Sequence, residues 1–123
     1  MYMRRVMVDT SSMVFAFSNR KDIFAIVEER LDATPTVSAG IIGELKKLSA
    51  RRSKEGRAAK LALRVIKKHR IRALENSEQV DDFLVRAAVD EGFEVCTNDI
   101  GLKRRLRNMG VRALSISKSG VLR

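Results

Sequence analysis

Four carboxylates break the pattern of the apolar segments around them. Asp9 directly follows the apolar residues 6–8, and Asp99 comes just after another apolar run. Glu44 and Asp81 each stand three or four residues from apolar neighbours, so each is predicted to share a helix stripe with core residues. An ionised carboxylate turned toward the interior is costly unless a cation accompanies it. These four side chains are therefore the first candidates for chemistry.

Each of these acids also has a simple structural explanation. Asp9 and Asp99 can cap helices, and Asp81 can stabilise a helix N-terminus. Together, however, they can converge on one pocket, where four carboxylates would repel one another and could not all stay ionised without a cation. Carboxylate oxygens suit Mg²⁺ or Mn²⁺, and Mg²⁺ held in this way usually bridges to phosphate. The acids therefore predict one or two divalent ions and a phosphate-bearing substrate.

Positioning these acids requires an alternation of strands and helices. Short apolar runs predict strands over residues 6–8, 34–37, 71–74, 93–97 and 111–116. The amphipathic segments between them predict helices, with N-caps at Asp22, Ser38, Ser77 and either Asn98 or Asp99. Such alternation is typical of a mostly parallel sheet covered by helices on both faces, in which ligands bind at the carboxyl ends of the strands. Asp9 and Asp99 both fall at such ends.

Composition bounds the remaining possibilities. A chain of 123 residues with 45% hydrophobic residues predicts a single domain over residues 1–123. A formal net charge of +10 indicates a polyanionic partner, either nucleic acid or an anionic membrane surface. One cysteine and one histidine exclude a disulfide framework and a multi-His metal centre. No apolar run approaches the roughly 18 residues that span a bilayer, and no signal-peptide layout is visible, so we expect a cytoplasmic protein without a membrane partner.

The positive charge is concentrated in two places. Residues 45–72 carry twelve Lys and Arg against one acid, Glu55. Within them Arg57, Lys60 and Arg64 recur at helical spacing and form one stripe, which either binds RNA phosphates or is simply a solvated face. The second cluster follows Asp99 directly and is predicted to lie beside the metal, and it comprises Lys103, Arg104, Arg105 and Arg107. Because aromatic residues are only 5% of the chain, we expect recognition of RNA by backbone and shape more than by base.

Four short motifs, in this order and spacing, resemble those of the PIN-domain nuclease family. They are Val6-Met7-Val8-Asp9-Thr10-Ser11, Ile42-Gly43-Glu44-Leu45-Lys46-Lys47-Leu48, Val80-Asp81-Asp82-Phe83-Leu84, and Cys96-Thr97-Asn98-Asp99 followed by Leu102-Lys103-Arg104-Arg105-Leu106. The last stretch looks most like small archaeal PIN proteins of the rRNA-processing branch. The resemblance covers essentially the whole chain and implies a three-layer α/β/α sandwich with a mostly parallel central sheet.

The resemblance also implies roles for particular residues. The catalytic, metal-binding acids would be Asp9, Glu44, Asp81 and Asp99, with Asp82 a less fitting substitute for Asp81. Ser11 would be a hydroxyl beside the metal, and Asn98 a polar neighbour. The implied activity is hydrolysis of phosphodiester bonds in single-stranded or structured RNA by a Mg²⁺- or Mn²⁺-dependent endoribonuclease.

Several alternatives stay open on the sequence alone. The enzyme can act in processing of rRNA or another RNA, with a ribosome-assembly partner, or it can be a VapC-type toxin held by an antitoxin. A non-catalytic RNA-binding scaffold is a further class, which the intact set of acids disfavours. A receiver-type phosphorylation domain also gathers acids at strand ends, but a net charge of +10 fits it poorly. The family resemblance also allows a homodimer.

Overall fold

The computed structural model describes residues 3–123 and contains one five-stranded sheet. The strands are β1 (Arg4–Val8), β2 (Ala33–Ser38), β3 (Arg72–Leu74), β4 (Glu94–Cys96) and β5 (Ala113–Leu114). They pair in the order β3-β2-β1-β4-β5, and every pairing is parallel. With helices on both sides of this sheet, the predicted three-layer α/β/α sandwich is confirmed.

Six helices connect and cover the strands. They are α1 (Thr10–Ser18), α2 (Ile23–Leu31), α3 (Ala39–Ser49), α4 (Lys54–Lys68), α5 (Val80–Glu91) and α6 (Ile100–Asn108). The predicted caps at Asp22 and Ser38 are confirmed, because the first accepts hydrogen bonds from Phe24 N and Ala25 N and the second accepts one from Ile41 N. The predicted cap at Ser77 is wrong. α5 instead begins after Gln79, which makes no side-chain cap.

The central strand explains where the core lies. Val6, Met7 and Val8 are all fully buried because β1 has a neighbouring strand on each edge and covered faces on both sides. The sheet also switches direction here, since β2 follows β1 on one side and β4 lies on the other. Val8 is paired in register with Cys96, so β1 and β4 end at the same level. A crevice outside the carboxyl ends of the strands is expected at such a switch.

The end of the chain differs from the prediction. The last strand was expected over residues 111–116, but only Ala113–Leu114 pair with β4. Beyond them Ser115 and Arg123 exchange backbone hydrogen bonds, and Ile116 and Leu122 form an antiparallel bridge. This hairpin-like tail therefore satisfies its backbone groups within itself instead of lengthening β5. In residues 3–123 no helix combines the length and apolarity needed to cross a membrane.

Candidate metal-binding groove

An open groove of about 950 Å³ lies at the carboxyl ends of β1 and β4. All four predicted acids line it, although they come from four different segments of the chain. Asp9 follows β1, Glu44 belongs to α3, Asp81 opens α5, and Asp99 precedes α6. The parallel topology therefore brings together side chains that are up to ninety residues apart in sequence.

Asp9 is held at the floor of the groove by two hydroxyl groups. Its side chain occupies the N-cap position of α1 but makes no cap hydrogen bond, so its structural explanation as a helix cap is wrong. Its Oδ2 instead accepts from Ser11 Oγ at 3.0 Å and from Thr97 Oγ1 at 2.8 Å. Each hydroxyl in turn accepts a backbone N–H, from Asn98 and Asp99 respectively. Each hydroxyl therefore accepts from the backbone and donates to Asp9 Oδ2, so the two side chains fix the position of the carboxylate.

The electrostatics of the groove favour a bound cation. Asp9 is only 6% exposed, and burial raises the pKa of its carboxyl group, with the Asp81 carboxylate adding to the rise. The hydrogen bonds from Thr97 and Ser11 oppose this rise in the pKa of Asp9. Partial loss of hydration and the Asp99 carboxylate likewise raise the pKa of Asp81, and Arg105 opposes this rise. A positive charge among these groups would relieve their repulsion and the cost of burying them.

Glu44 and Asp81 do not turn toward the core as the spacing predicted. Both are exposed, and they stand at the rim of the groove. Helical spacing places a residue next to the apolar face of its helix but does not say whether a neighbouring element covers that position. Here the groove leaves both positions uncovered. Thr10 at the start of α1 donates a 2.7 Å hydrogen bond to Glu44 Oε1 and so ties α1 to α3. Asp99 does cap α6, because its Oδ1 accepts from Leu102 N at 2.9 Å.

The donor set matches a hard divalent ion in chemistry. The four predicted carboxylates and that of Glu55 line one groove, and carboxylate oxygens are the ligands that Mg²⁺ and Mn²⁺ prefer. Across residues 3–123, no three His, Cys, Asp or Glu side chains stand close enough together to hold one ion directly. Mg²⁺ commonly takes only one or two carboxylates and keeps several waters. The acids therefore fit an ion that some of them reach through water.

The three predicted supporting residues lie close to the acids but do different things. Ser11 donates to Asp9, as described above. Asn98 bridges to the tail, since its Oδ1 accepts from Ser12 Oγ and Ile116 N and its Nδ2 donates to Ile116 O. Asp82 faces away from the groove lining and forms a 2.8 Å ion pair with Arg105. Of the two neighbouring acids, the groove therefore contains Asp81.

The basic residues of α6 do not line the groove, although Arg105 is near enough to Asp81 to oppose the rise in the pKa of that carboxyl group. None of Lys103, Arg104, Arg105 and Arg107 lines the groove, because Leu102 and Leu106 face the core and turn these neighbours elsewhere. Lys103 Nζ donates to Ser115 Oγ and to the carbonyl of Arg123, so it fastens the tail. Arg105 is engaged by Asp82. The cluster therefore lies outside the groove, and its contact with RNA stays a prediction.

Other cations line the groove instead. Lys47, Arg51 and Lys54 come from the turn between α3 and α4, and Lys118 comes from the tail. The first three belong to the basic segment over residues 45–72, whereas nothing in the sequence predicted that Lys118 would line the groove. A Cβ at Gly56 would lie 2.0 Å from the carbonyl oxygen of Arg51, so only glycine allows α4 to approach this turn so closely. Arg57, Lys60 and Arg64 are exposed on α4 and lie beyond the groove lining.

Sequence reasoning also assigned no role to three further residues at or beneath the groove. Thr10 and Thr97 hold acids in place, and Phe15 lies on its apolar wall. The hydroxyl residues carry no periodic signal, although Thr97 directly follows β4 at the level of Asp9 and was detectable in principle from its position. Phe15 was hidden within a run of apolar residues that all resembled core.

Comparison with known proteins places the chain in a family. The family model described as a PIN like domain matches residues 6–118 of this chain. Ribonuclease VapC9 of Archaeoglobus fulgidus is 29% identical over 109 residues, which make up 88% of this chain and 79% of that protein.

Solved structures agree with this match. The structure of the PIN domain endonuclease Utp24 superposes with a TM-score of 0.74 at 29% identity, covering 92% of this chain and 85% of the other. A structure of VapBC2 from Rickettsia felis, bound to a DNA fragment from its promoter, superposes with a TM-score of 0.62 over 92% of this chain and 99% of the other. At 18% identity it shows the fold alone. The resemblance predicted from the motifs is confirmed and a nuclease function is supported: the chain belongs to the PIN-like domain family.

Proposed function

We propose that this protein is a Mg²⁺- or Mn²⁺-dependent endoribonuclease that hydrolyses phosphodiester bonds. The observation that carries the proposal is the convergence of Asp9, Glu44, Asp81 and Asp99 on one groove that also bears four cations. Acids that hold a divalent ion next to side chains that attract phosphate are what phosphodiester hydrolysis requires. RNA is the proposed substrate because a relative with 29% identity is named a ribonuclease.

The residues in and beneath the groove would have different roles in the reaction. Asp9, Glu44, Asp81 and Asp99 would hold one or two ions, directly or through water. A bound ion there would supply Lewis-acid stabilisation of phosphate charge and activation of water. Ser11 and Thr97 would keep Asp9 ionised and oriented through their hydrogen bonds. Hydrolysis of this kind leaves a 5′-phosphate and a 3′-hydroxyl at the cut.

Cleavage of a labelled single-stranded RNA tests the proposal. We expect cleavage in Mg²⁺ or Mn²⁺, none in EDTA, and recovery when excess Mn²⁺ is added back. Mapping the product ends separates this hydrolysis from background breakdown, which leaves cyclic or 3′-phosphate ends. RNA that binds but stays intact with both metals, over several sequences, would instead support the non-catalytic scaffold.

Removing groove cations is expected to weaken RNA binding without changing the chemistry. Arg51→Ala should reduce the slope of log affinity against log salt by about one for each lost phosphate contact. Electrophoretic mobility shifts at several salt concentrations measure this slope. Arg64→Ala, on the stripe of α4 beyond the groove, is the matched comparison. An equal effect of the two variants would show that RNA continues along α4, with Arg57 and Lys60 as further contacts; no effect of either would contradict both proposed phosphate contacts.

The biological role is proposed as processing of rRNA or another RNA. The stretch Cys96-Thr97-Asn98-Asp99, with the Leu102-Lys103-Arg104-Arg105-Leu106 segment after it, resembles the rRNA-processing branch of the family and favours this role over that of a toxin. A VapC-type toxin remains the alternative because VapC9 matches at 29% identity. Induced expression in a growing host distinguishes them: a toxin should arrest growth in a manner that Asp9→Asn abolishes, and a processing enzyme should not.

A further inference from the structure

Phe15 is the one exposed phenylalanine of the five in the chain. Its side chain is 36% exposed, whereas Phe17, Phe24, Phe83 and Phe93 are all 7% exposed or less. Its own helix, α1, buries the opposite side through Met13, Ala16 and Phe17. Leaving an aromatic ring in water forgoes favourable burial, so an exposed ring inside a functional groove points to a ligand.

The ring stands one helical turn from the network around Asp9. Ser11 and Phe15 are four residues apart on α1, and such residues lie about 5–6 Å apart on the same side of a helix. Glu44 and Leu48 have the same spacing on α3 and line the same groove. Phe15, Leu48 and Val14 thus form an apolar wall directly beyond the acids.

The rest of the groove specifies what this wall can bind. Four cations and five acids line it, so the occupant must be charged as well as flat and apolar in part. A lipid tail or an apolar helix would leave these charges unpaired. A nucleotide fits, because its phosphates can meet Lys47, Arg51 and Lys54 while its base covers the ring.

We propose that Phe15 is a stacking platform for an unpaired base next to the scissile phosphate, an inference that rests on the proposed ribonuclease function. A base can stack on a side chain only when it is free of its own duplex, so the platform selects single-stranded RNA. Stacking accepts any base, so this selection carries little sequence preference. The platform therefore adds base contact to the backbone recognition expected from the scarcity of aromatic residues.

The chain contains no tryptophan, so Phe15→Trp places a single indole fluorophore on this wall. In EDTA, where cleavage is blocked, we expect a single-stranded oligonucleotide to quench the fluorescence of this variant. In a series of oligonucleotides that each carry one abasic site at a different position, we expect quenching to be lost only when the missing base is the one that stacks on residue 15. RNA that binds without quenching the indole would overturn the proposal and would indicate that the apolar wall binds a protein segment instead.

Affinity provides the second measurement. Phe15→Ala should raise the Kd for single-stranded RNA by about 5- to 150-fold, the range for loss of one stacked base, and leave the Kd for duplex RNA unchanged. Phe15→Leu keeps apolar area without the aromatic face and should lose most of the same affinity. Val89→Ala, at an exposed apolar residue of α5 outside the groove, should have no effect. Equal losses with intact and abasic RNA would contradict stacking.

These outcomes separate the two proposals. If wild-type protein does not cleave RNA in either metal but Phe15→Trp is quenched, the ribonuclease function fails and base stacking stands. If wild-type protein cleaves and Phe15→Ala cleaves and binds equally well, the stacking platform fails and the ribonuclease stands. Circular dichroism on each variant confirms that the fold is intact.

Discussion

Asp9→Asn is expected to lower the rate of RNA cleavage by about 10³-fold. The substitution removes the charge of the one acid that is buried at the floor of the groove. Charge stabilisation by a bound metal is worth several kcal/mol at the transition state, and about 4 kcal/mol corresponds to that loss. Single-turnover cleavage of a labelled RNA at saturating Mn²⁺ measures it. Asp90→Asn, an exposed acid at the end of α5, is the matched control and should cleave normally.

The same variant should be more stable than the wild-type protein. Burial raises the pKa of Asp9, so the folded state favours its neutral form, and the charged form costs stability above that raised pKa. Asparagine removes this cost and can still accept from Ser11 and Thr97 through its side-chain oxygen. We expect a gain of about 1 kcal/mol in the free energy of unfolding at pH 7, measured without metal. A destabilised Asp9→Asn would indicate that the carboxylate serves the fold and not a cation.

Thr97→Val is expected to lower cleavage by about 10- to 100-fold, as removal of a residue that orients a metal ligand usually does. Thr97 is fully buried and donates 2.8 Å from Oγ1 to Asp9 Oδ2. That hydrogen bond lowers the pKa of Asp9, so losing it raises the pKa further. Cleavage requires the ionised carboxylate, and the acid limb of the pH–rate profile should therefore move to higher pH.

Two further observations distinguish orientation from simple packing. Thr97→Ser keeps the hydroxyl and should restore both the rate and the position of the acid limb, even though it removes a methyl group. A purely structural role for Thr97 would lower the stability of the Val variant and leave the pH profile in place. An unchanged acid limb in Thr97→Val is the result that would refute the positioning role.

The fold could be predicted well because its signals are local and repeated. Apolar strands, helical spacing and caps such as Ser38 each act over a few residues, and together they specify an alternating parallel sheet. The misjudged elements depend on contacts between distant segments. β5 is cut short because Ser115 pairs with Arg123, and α5 begins only after Gln79, following a turn in which Asn76 accepts from Gly40 N of α3.

The candidate site could be predicted only in part. The strand-end acids Asp9 and Asp99 were visible because topology places strand ends together, and the groove contains them. The exposure of Glu44 and Asp81 could not be predicted, because it depends on which part of each helix surface the neighbouring elements leave uncovered. The position of Lys103 could not be predicted for the same reason. It comes four residues after Asp99 in sequence, but the orientation of α6 directs its side chain to the tail.

The strand order also determines when during synthesis the four acids of the groove can meet. A ribosome makes β1, β2 and β3 first, and these already form neighbouring strands on one side of β1. Asp81 and Asp99 emerge later, and Asp99 reaches its place only when β4 has paired with the free edge of β1. We therefore expect a nascent polypeptide that has not passed that point, and so has no Asp99 in the groove, to leave intact the messenger from which it is being translated.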